Sequence, residues 1–302
     1  MQLLKSILAV GALGIFSIMP LSVAQKLGRF MGRRFAANPN GDMSRITRKN
    51  LELVYPALNE QARQKLINES LLHTGMSITE MGMAWLWRPE RSLQKLRNIN
   101  DESVLTDALA EGKGVIILAP HIGNWEILNL YISNNYPVTV MYRPPKLKVM
   151  DNLIRKMRAR LGTDLAPADL SGVRKIIKAL KKGQAVGILP DQEPDKGRGE
   201  FAPFFGVEAY TMKLLTQLVK QTGAKVVCGY ALRISESDKF DIYFEPANSA
   251  IYSADCAEAI AGLNASVEQC VQRDPAQYQW EYKRFNTRPE GEPKLYTKPN
   301  SK

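Results

Sequence analysis

The sequence predicts an α/β protein with a largely parallel central sheet flanked by helices. Between residues 114 and 244, short runs of Val, Ile and Leu alternate with segments of helical periodicity. A strand buried on both faces needs a continuous apolar run, and two parallel strands need a crossover between them that is usually helical. The runs that predict strands cover residues 114–119, 137–142, 185–189, 225–230 and 240–244.

The segments between these runs predict the crossover helices. They cover residues 125–134, 151–161, 172–182 and 211–222, and a further helix is predicted at 254–273. Residues from about 44 to 90 are also expected to be helical, and an irregular tail begins at Arg288. Neither an internal repeat nor a low-complexity linker divides the chain, so residues 37–302 are predicted to form one α/β domain with a helical N-terminal part.

Residues 6–25 contain no ionisable side chain. Because twenty helical residues span about 30 Å, the thickness of a bilayer's hydrocarbon core, we expect a membrane-associated helix here. A secretory signal peptide is one alternative, since Lys5 precedes the run and residues 22–24 resemble a cleavage site. A buried core helix is another. Gly11, Gly14 and Pro20 favour a tilted or half-inserted helix over a straight span.

The next segment predicts a basic amphipathic helix at an anionic membrane surface. Apolar side chains recur at helical spacing between basic ones, namely Leu27, Phe30, Met31 and Phe35 beside Lys26, Arg29, Arg33 and Arg34. An ordinary surface helix packed on the core is the alternative. Because positive flanks favour the cytoplasmic side, residues 1–36 are predicted to be an anchor and interfacial helix on that side.

The chain is basic, with 41 Lys and Arg against 30 Asp and Glu, a net charge of +11 and a pI near 9.5. This balance predicts an anionic partner: nucleic acid, a phospholipid surface, a phosphorylated substrate or an acidic carrier protein. No aromatic RNP block or zinc finger supports nucleic acid. Three cysteines without a pairing pattern and two distant histidines predict no disulfide framework, no metal site and no cofactor.

A stripe rich in Met and Trp runs through residues 76–87, and it contains a single acid, Glu80. The stripe is explained either by core packing or by an acyl-chain pocket, because Met adapts to irregular apolar shapes. A carboxylate among such residues must be either exposed or paired.

His121 is the main candidate for catalysis. It follows the most apolar predicted strand and precedes a helix, at the sheet edge where open α/β folds bind ligands. Glu126, five residues on, is expected to reach back to one imidazole nitrogen, so that the other can remove a proton from a substrate hydroxyl. A helix-capping histidine paired with an acid is the alternative. His73 has no acid at this spacing, and we expect it to be structural.

No protein nucleophile accompanies this pair. The sequence lacks a Gly-x-Ser-x-Gly elbow, and its cysteines lie in core-like positions. This favours direct transfer to a substrate hydroxyl. A thioesterase that uses water on the same scaffold and a non-enzymatic module that binds anionic surfaces are the competing hypotheses.

The His121-x4-Glu126 motif resembles the His-x4-Asp block of the glycerolipid acyltransferase superfamily. Further blocks make the chain similar to one branch of it, the lipid A biosynthesis acyltransferase family. These blocks are residues 80–85, 141–144, 151–158, 170–174, 189–192, 203–206 and 282–291. At residues 190–192 a Pro-Asp-Gln sequence replaces the Pro-Glu-Gly-Thr-Arg block of glycerol-phosphate acyltransferases, which disfavours that acceptor. The loop at 193–199 also lacks the branch's usual aromatic residue, so acceptor choice is left open.

The resemblance implies a monomeric, membrane-bound O-acyltransferase on the cytoplasmic side of the inner membrane. Its donor would be an acyl thioester of acyl carrier protein or coenzyme A, and its acceptor a phosphorylated glycolipid, the lipid A precursor, or alternatively another lysolipid. His121, oriented by Glu126, would act as general base without a covalent acyl-enzyme.

The resemblance and residue chemistry also imply the remaining site residues. Arg158 is the expected oxyanion donor, with backbone amides near Gly123 as competing candidates. Arginine suits bidentate contacts to phosphates and carboxylates, so four arginines are expected to grip the acceptor. The predicted substrate-binding residues are Asn124, Arg143, Arg174, Asp191, Arg284 and Arg288. Asp191 would either bind the acceptor or hold one of these arginines.

Overall fold

A seven-stranded sheet forms the centre of the molecule in the computed structural model, which describes residues 2–144, 148–160 and 162–297. The described residues form these strands, of which β6 and β7 lie outside that sheet: β1 Leu96–Asn100, β2 Val115–Leu118, β3 Val138–Tyr142, β4 Asp164–Pro167, β5 Ala185–Ile188, β6 Gly199–Phe204, β7 Val207–Met212, β8 Lys225–Arg233 and β9 Phe240–Pro246. The helices are α1 Gln2–Ile18, α2 Leu21–Ala36, α3 Asp42–Val54, α4 Glu60–Leu86, α5 Pro89–Leu93, α6 Ser103–Ala110, α7 Trp125–Asn135, α8 Lys148–Ala159, α9 Leu170–Lys181, α10 Leu214–Thr222 and α11 Cys256–Arg273.

The order of the strands is β1-β9-β8-β2-β5-β3-β4, and only the β8–β9 pair is antiparallel among the described neighbours of this sheet. β6 and β7 form a separate antiparallel hairpin. The predicted α/β class with a largely parallel sheet is therefore confirmed, and each of the five predicted strands is present.

The central strand β2 shows why this part of the sequence must be continuously apolar. All four of its side chains are buried. Ile116 and Leu118 pack in a core with α9, α10 and α11, while Val115 and Ile117 pack in a second core with α6 and α7. Because successive side chains alternate across a strand, a layer of helices on each face leaves no position for a polar residue.

The sequence did not predict β1, β4, β6 and β7. β1 and β4 are the edge strands of the sheet, with partly exposed and polar sequences that lack an apolar run. β7 ends at Met212 because Thr211 and Met212 pair with β6, so the helix expected from residue 211 begins at Leu214.

The uncharged N-terminal run forms parts of two helices. α1 ends at Ile18, Pro20 lies in the break, and α2 begins at Leu21. Several apolar side chains of α1 are exposed, among them Ile7, Leu8 and Ile15. In the part of the chain that the structure describes, no helix combines the length and the apolar character needed to cross a bilayer.

α2 packs on α4 through glycines. A Cβ atom on Gly75 of α4 would overlap the carbonyl oxygen of Gly28 in α2, and one on Gly32 would overlap the backbone at Leu71. α1 approaches α4 in a similar way, since a Cβ on Gly82 would lie 2.6 Å from the Phe16 backbone. Trp87 then fastens α1 by donating from Nε1 to the Ser17 carbonyl oxygen at 2.6 Å. These contacts bury the small-residue face of α2 and leave Lys26, Phe30, Arg33 and Arg34 exposed.

We expect Gly75→Ala to destabilise the protein by about 1–3 kcal/mol, the usual cost of forcing extra atoms into a packed contact. Gly11→Ala is the matched control, because a Cβ at Gly11 in α1 meets no atom within 4 Å. It should be neutral or stabilise by up to about 1 kcal/mol, since alanine is the better helix former. Denaturant unfolding of both variants measures the effect, and equal midpoints for the two would contradict the close packing.

Candidate active site

A cavity of about 480 Å³ opens at the carboxyl ends of β2, β3 and β5. Its volume lies within the range of small-molecule binding sites, about 300–1,000 Å³. His121, Glu126 and Arg158 all line it, so the structure brings the three predicted catalytic residues together. Much of the remaining wall is apolar, from Trp125, Met141, Ile154, Val173, Leu189, Met212 and Leu214.

His121 is held by Asp191, which follows the neighbouring strand β5. Asp191 Oδ2 accepts from the backbone N–H of His121 at 2.8 Å, and Oδ1 lies 2.8 Å from the imidazole Nδ1. Because a carboxylate only accepts, Nδ1 carries the proton in the neutral imidazole, and the lone pair of that tautomer is on Nε2. Burial alone would raise the pKa of Asp191, but the charge and hydrogen bonds of His121 outweigh it and the pKa is lowered. Asp191 therefore remains an anion at neutral pH.

This arrangement differs from the expected pairing of His121 with Glu126. The Nδ1 position is occupied by Asp191, and Glu126 Oε1 instead accepts from Arg158 Nη2 at 3.2 Å. The physical reason is the sheet: β2 and β5 are parallel neighbours, so residues that follow them lie side by side at one edge. Asp191 is only 3% exposed beneath the imidazole, which leaves it no access to a substrate.

The Nε2 atom of His121 lies next to Gln192. The Gln192 side-chain nitrogen is 3.3 Å from Nε2, within donating distance of its lone pair. The Trp125 ring packs edge-on against the imidazole, with 5.0 Å between ring centroids. A ligand in the cavity would have to displace the Gln192 contact to form a hydrogen bond with Nε2.

Arg158 on α8 is a side-chain cation inside the cavity. The backbone N–H groups expected to compete with it as oxyanion donors already have protein acceptors. Ile122 donates to Pro120, Gly123 to Gln277 and Asn124 to Ala231, each at the carbonyl oxygen. The Arg158 guanidinium, paired with Glu126, is therefore one of the side-chain donors that line the cavity, together with Arg143, Gln192 and Arg198.

Five of the six predicted substrate-binding residues lie outside the cavity lining, and three of them besides Asp191 are held by partners within the protein. Asn124 is buried and caps α7, since its Oδ1 accepts from the N–H of Ile127 at 3.0 Å. Arg284 is buried and donates to Tyr210, Thr211 and Asn264, so it fixes the β6–β7 hairpin on α11. Arg288 donates to the carbonyl oxygen of Glu208 at 2.6 Å. Burial and internal partners prevent Asn124 and Arg284 from meeting a ligand.

Arg143 is the one predicted substrate-binding residue that lines the cavity, at its mouth. It is exposed and pairs with Asp195 at 2.7 Å, and Arg198 lies 4.0 Å from the same carboxylate. Arg174 is on the exposed surface of α9, outside the cavity lining.

A buried polar network lies behind the turn that carries His121, and the isolated acid Glu80 was its one signal in the sequence. Glu80, the isolated acid of the Met-rich stripe, is fully buried and forms an ion pair of 2.8 Å with Arg233 of β8. His73 also lies on α4. Its burial and the charges of Arg233 and Arg29 lower its pKa to about 3. His73 is thus neutral at physiological pH, as a structural role requires. The partner of Glu80 is 153 residues away, beyond the reach of local patterns.

The fold and this site define a protein of the α/β class whose cavity, at the carboxyl ends of parallel strands, is lined by a histidine. The family model described as bacterial lipid A biosynthesis acyltransferase matches residues 2–287. The chain belongs to this family and is an acyltransferase.

Curated relatives cover nearly the whole chain. It is 31% identical over 271 residues to a lipid A biosynthesis palmitoleoyltransferase of Escherichia coli (strain K12), which covers 88% of this chain and 87% of the relative. It is 30% identical over 298 residues to a lipid A biosynthesis lauroyltransferase of the same organism, covering 96% and 94%. A lipid A biosynthesis myristoyltransferase of that organism is 24% identical over 277 residues, covering 91% and 83%.

Asp191→Asn should reduce turnover by about 10²- to 10⁴-fold, the range associated with general-base catalysis. Loss of the negative charge disfavours the imidazolium, so the rising limb of the kcat/KM pH profile should move to lower pH. Glu126→Gln is the comparison, because it removes a carboxylate that contacts Arg158. It should reduce turnover without moving that limb. A limb that moves in Glu126→Gln and not in Asp191→Asn would contradict the assignment of Asp191.

Proposed function

We propose that this protein transfers a fatty acyl group from an acyl thioester to a hydroxyl of a lipid A precursor, with His121 as general base. The observation that carries the proposal is the imidazole itself. Its Nδ1 is held by buried Asp191, and the ring lines a cavity with a largely apolar wall. Membership of the lipid A acyltransferase family supports the acyl group and the acceptor class.

The reaction needs one base, one oxyanion donor and one proton return. Nε2 of His121 takes the proton of the acceptor hydroxyl, and the oxygen attacks the thioester carbonyl carbon. As the C–O bond forms, negative charge moves to the carbonyl oxygen, where the Arg158 guanidinium stabilises it. The C–S bond then breaks, and the imidazolium returns its proton to the departing thiolate sulfur.

Direct transfer is supported by the composition of the cavity wall. Among the described residues that line it there is no Ser, Thr or Cys that could carry an acyl group. Cys228 and Cys270 are buried in the core on the α11 side of the sheet, and neither lines the cavity. The substrate hydroxyl is therefore the nucleophile.

The two substrates would meet different parts of the cavity. The apolar wall suits the acyl chain, because burial of methylene groups contributes about 0.8 kcal/mol for each group. Arg143 and Arg198 at the mouth suit acceptor phosphates, which would displace Asp195 from between them. Both donor classes, acyl carrier protein and coenzyme A, are anionic, which fits the exposed cations Arg174, Lys178 and Lys181 of α9.

Residues 1–36 would place the enzyme on the cytoplasmic surface of the inner membrane. α1 exposes Ile7, Leu8 and Ile15, and α2 exposes Phe30 beside basic side chains. Apolar side chains flanked by cations suit a surface of anionic lipid. The phosphorylated glycolipid acceptor would then reach the cavity from the bilayer.

His121→Ala should reduce transfer at least about 10²-fold, because it removes Nε2, the atom that takes the proton in the proposed mechanism. The assay combines an acyl thioester carrying a labelled acyl chain with a phosphorylated lipid A precursor, and it measures labelled lipid and free acid separately. His73→Asn is the control, since the other histidine lies outside the cavity lining. Free acid released at the same rate without acceptor would identify a thioesterase instead, and undiminished transfer by His121→Ala would exclude the mechanism.

A double variant, Ile15→Asn with Phe30→Asn, tests the membrane surface. These side chains are 53% and 49% exposed, and each apolar side chain that enters the bilayer contributes about 1.5–3 kcal/mol. Binding to vesicles of phosphatidylethanolamine and phosphatidylglycerol, measured by sedimentation, should weaken at least about tenfold. Leu170→Asn is the control on α9, where Leu170 is 75% exposed. Equal weakening by the control would refute a specific role for α1 and α2.

A further inference from the structure

The turn that carries His121 is fixed from behind by the backbone of two other segments. The N–H of Gly123 donates to the Gln277 carbonyl oxygen at 3.0 Å, and the N–H of Asn124 donates to the Ala231 carbonyl oxygen at 2.8 Å. Gly123 has φ of +60°, and a Cβ there would overlap the oxygen of Ala231. The position of the turn thus depends on where β8 and residue 277 are held.

Arg233 is connected to both segments that accept these hydrogen bonds. It follows Ala231 by two residues in β8, and its backbone N–H donates to Gln277 Oε1 at 2.9 Å while its carbonyl oxygen accepts from Gln277 Nε2 at 3.0 Å. Its guanidinium donates to both oxygens of Glu80, at 2.8 to 3.0 Å, and to Ser77 Oγ at 2.7 Å. One residue therefore joins the support of the turn to α4.

Glu80 completes the connection from the other side. Its Oε2 accepts from Asn124 Nδ2 at 2.9 Å, and its Oε1 accepts from Gln25 Nε2 of α2 at 2.9 Å. The bond to Nδ2 fixes which way the Asn124 amide faces, so that Oδ1 is turned towards the N–H of Ile127 as the cap of α7. The first turn of α7 carries Trp125 and Glu126 into the cavity.

We propose that Glu80 and Arg233 are positioning residues, which hold His121 and the first turn of α7 in the geometry that acyl transfer requires. The proposal rests on the proposed role of His121. Neither side chain lines the main cavity, so they act through the turn and through Asn124. A purely structural ion pair would contribute to stability alone, whereas a positioning pair also determines turnover.

The discriminating variant is the double replacement Glu80→Leu with Arg233→Met. Replacing a buried ion pair by apolar residues of similar size often preserves stability, while removing one partner leaves an uncompensated charge. The unfolding midpoint should therefore fall less than in Glu80→Leu alone, and the remaining decrease reflects the amides of Gln25 and Asn124 that lose their acceptor. Because Asn124 has lost its acceptor, kcat should fall by about 10²-fold, the effect of a misplacement of about 1 Å, while KM for the thioester changes little.

Asn124→Ser gives an independent test in case the double variant does not fold. Serine still caps the helix, but it cannot donate to Glu80 as the amide does. We expect a lower kcat with an almost unchanged KM and unfolding midpoint. Glu245→Gln is the matched control: Glu245 is another buried acid, paired with Arg273 and Tyr230 and without contact to the turn. It should lower the unfolding midpoint and leave kcat unchanged.

The outcomes separate this proposal from the proposed function. If the unmodified protein transfers acyl groups and both the folded double variant and Asn124→Ser keep its kcat, Glu80 and Arg233 are structural only and the proposal is overturned. If the double variant unfolds, the kcat of Asn124→Ser decides alone. Absence of transfer by the unmodified protein and by Glu245→Gln would instead refute the proposed function.

Discussion

The two hydrogen bonds from His121 to Asp191 are the interaction on which the arrangement of the site depends. One carboxylate accepts from both the backbone N–H and the imidazole Nδ1, so it fixes the residue's position and its tautomer together. This is possible because β2 and β5 are parallel neighbours whose carboxyl ends coincide. The central place of β2, with α helices on both faces, keeps the end of this strand from shifting.

The carboxylate of Glu126 has a different partner from that of Asp191. Glu126 lies in the first turn of α7 and forms an ion pair with Arg158 of α8. Each carboxylate thus pairs with one residue that lines the cavity, Asp191 with His121 and Glu126 with Arg158. The N–H groups of residues 122–124 all donate to carbonyl oxygens of the protein. The proposed mechanism therefore assigns to a side chain the role that backbone donors have in many acyl-transfer enzymes.

The sequence predicted the elements whose cause is local and repeated. Buried strands such as β2 are continuous apolar runs, and His121 could be found because it follows one of them. Prediction from the sequence failed where a contact joins segments that are distant along the chain. Asp191 was expected at the site, but a choice between Asp191 and Glu126 as the partner of Nδ1 depends on strand order, which no local pattern contains.

The arginines illustrate the same limit. Arg143 and Arg284 have equal intrinsic ability to bind an anion, yet one lies at the cavity mouth and the other is buried against the hairpin. Edge strands such as β1 were missed because their burial is partial, so their sequences lack the apolar run that marks a central strand.

The glycine contacts between α2 and α4 set more than the distance between two helices. Backbones that touch at Gly28, Gly32 and Gly75 allow only one rotation of α2 about its own axis, and each residue corresponds to about 100° of that rotation. Gln25 faces Glu80 at that angle, while Phe30 and Arg34 face outwards. A single-residue insertion or deletion between Pro20 and Gly28 would turn the exposed side chains of α1 away from those of α2. The direction in which the exposed apolar and basic side chains of α2 face is thus determined by the angular setting of one helix.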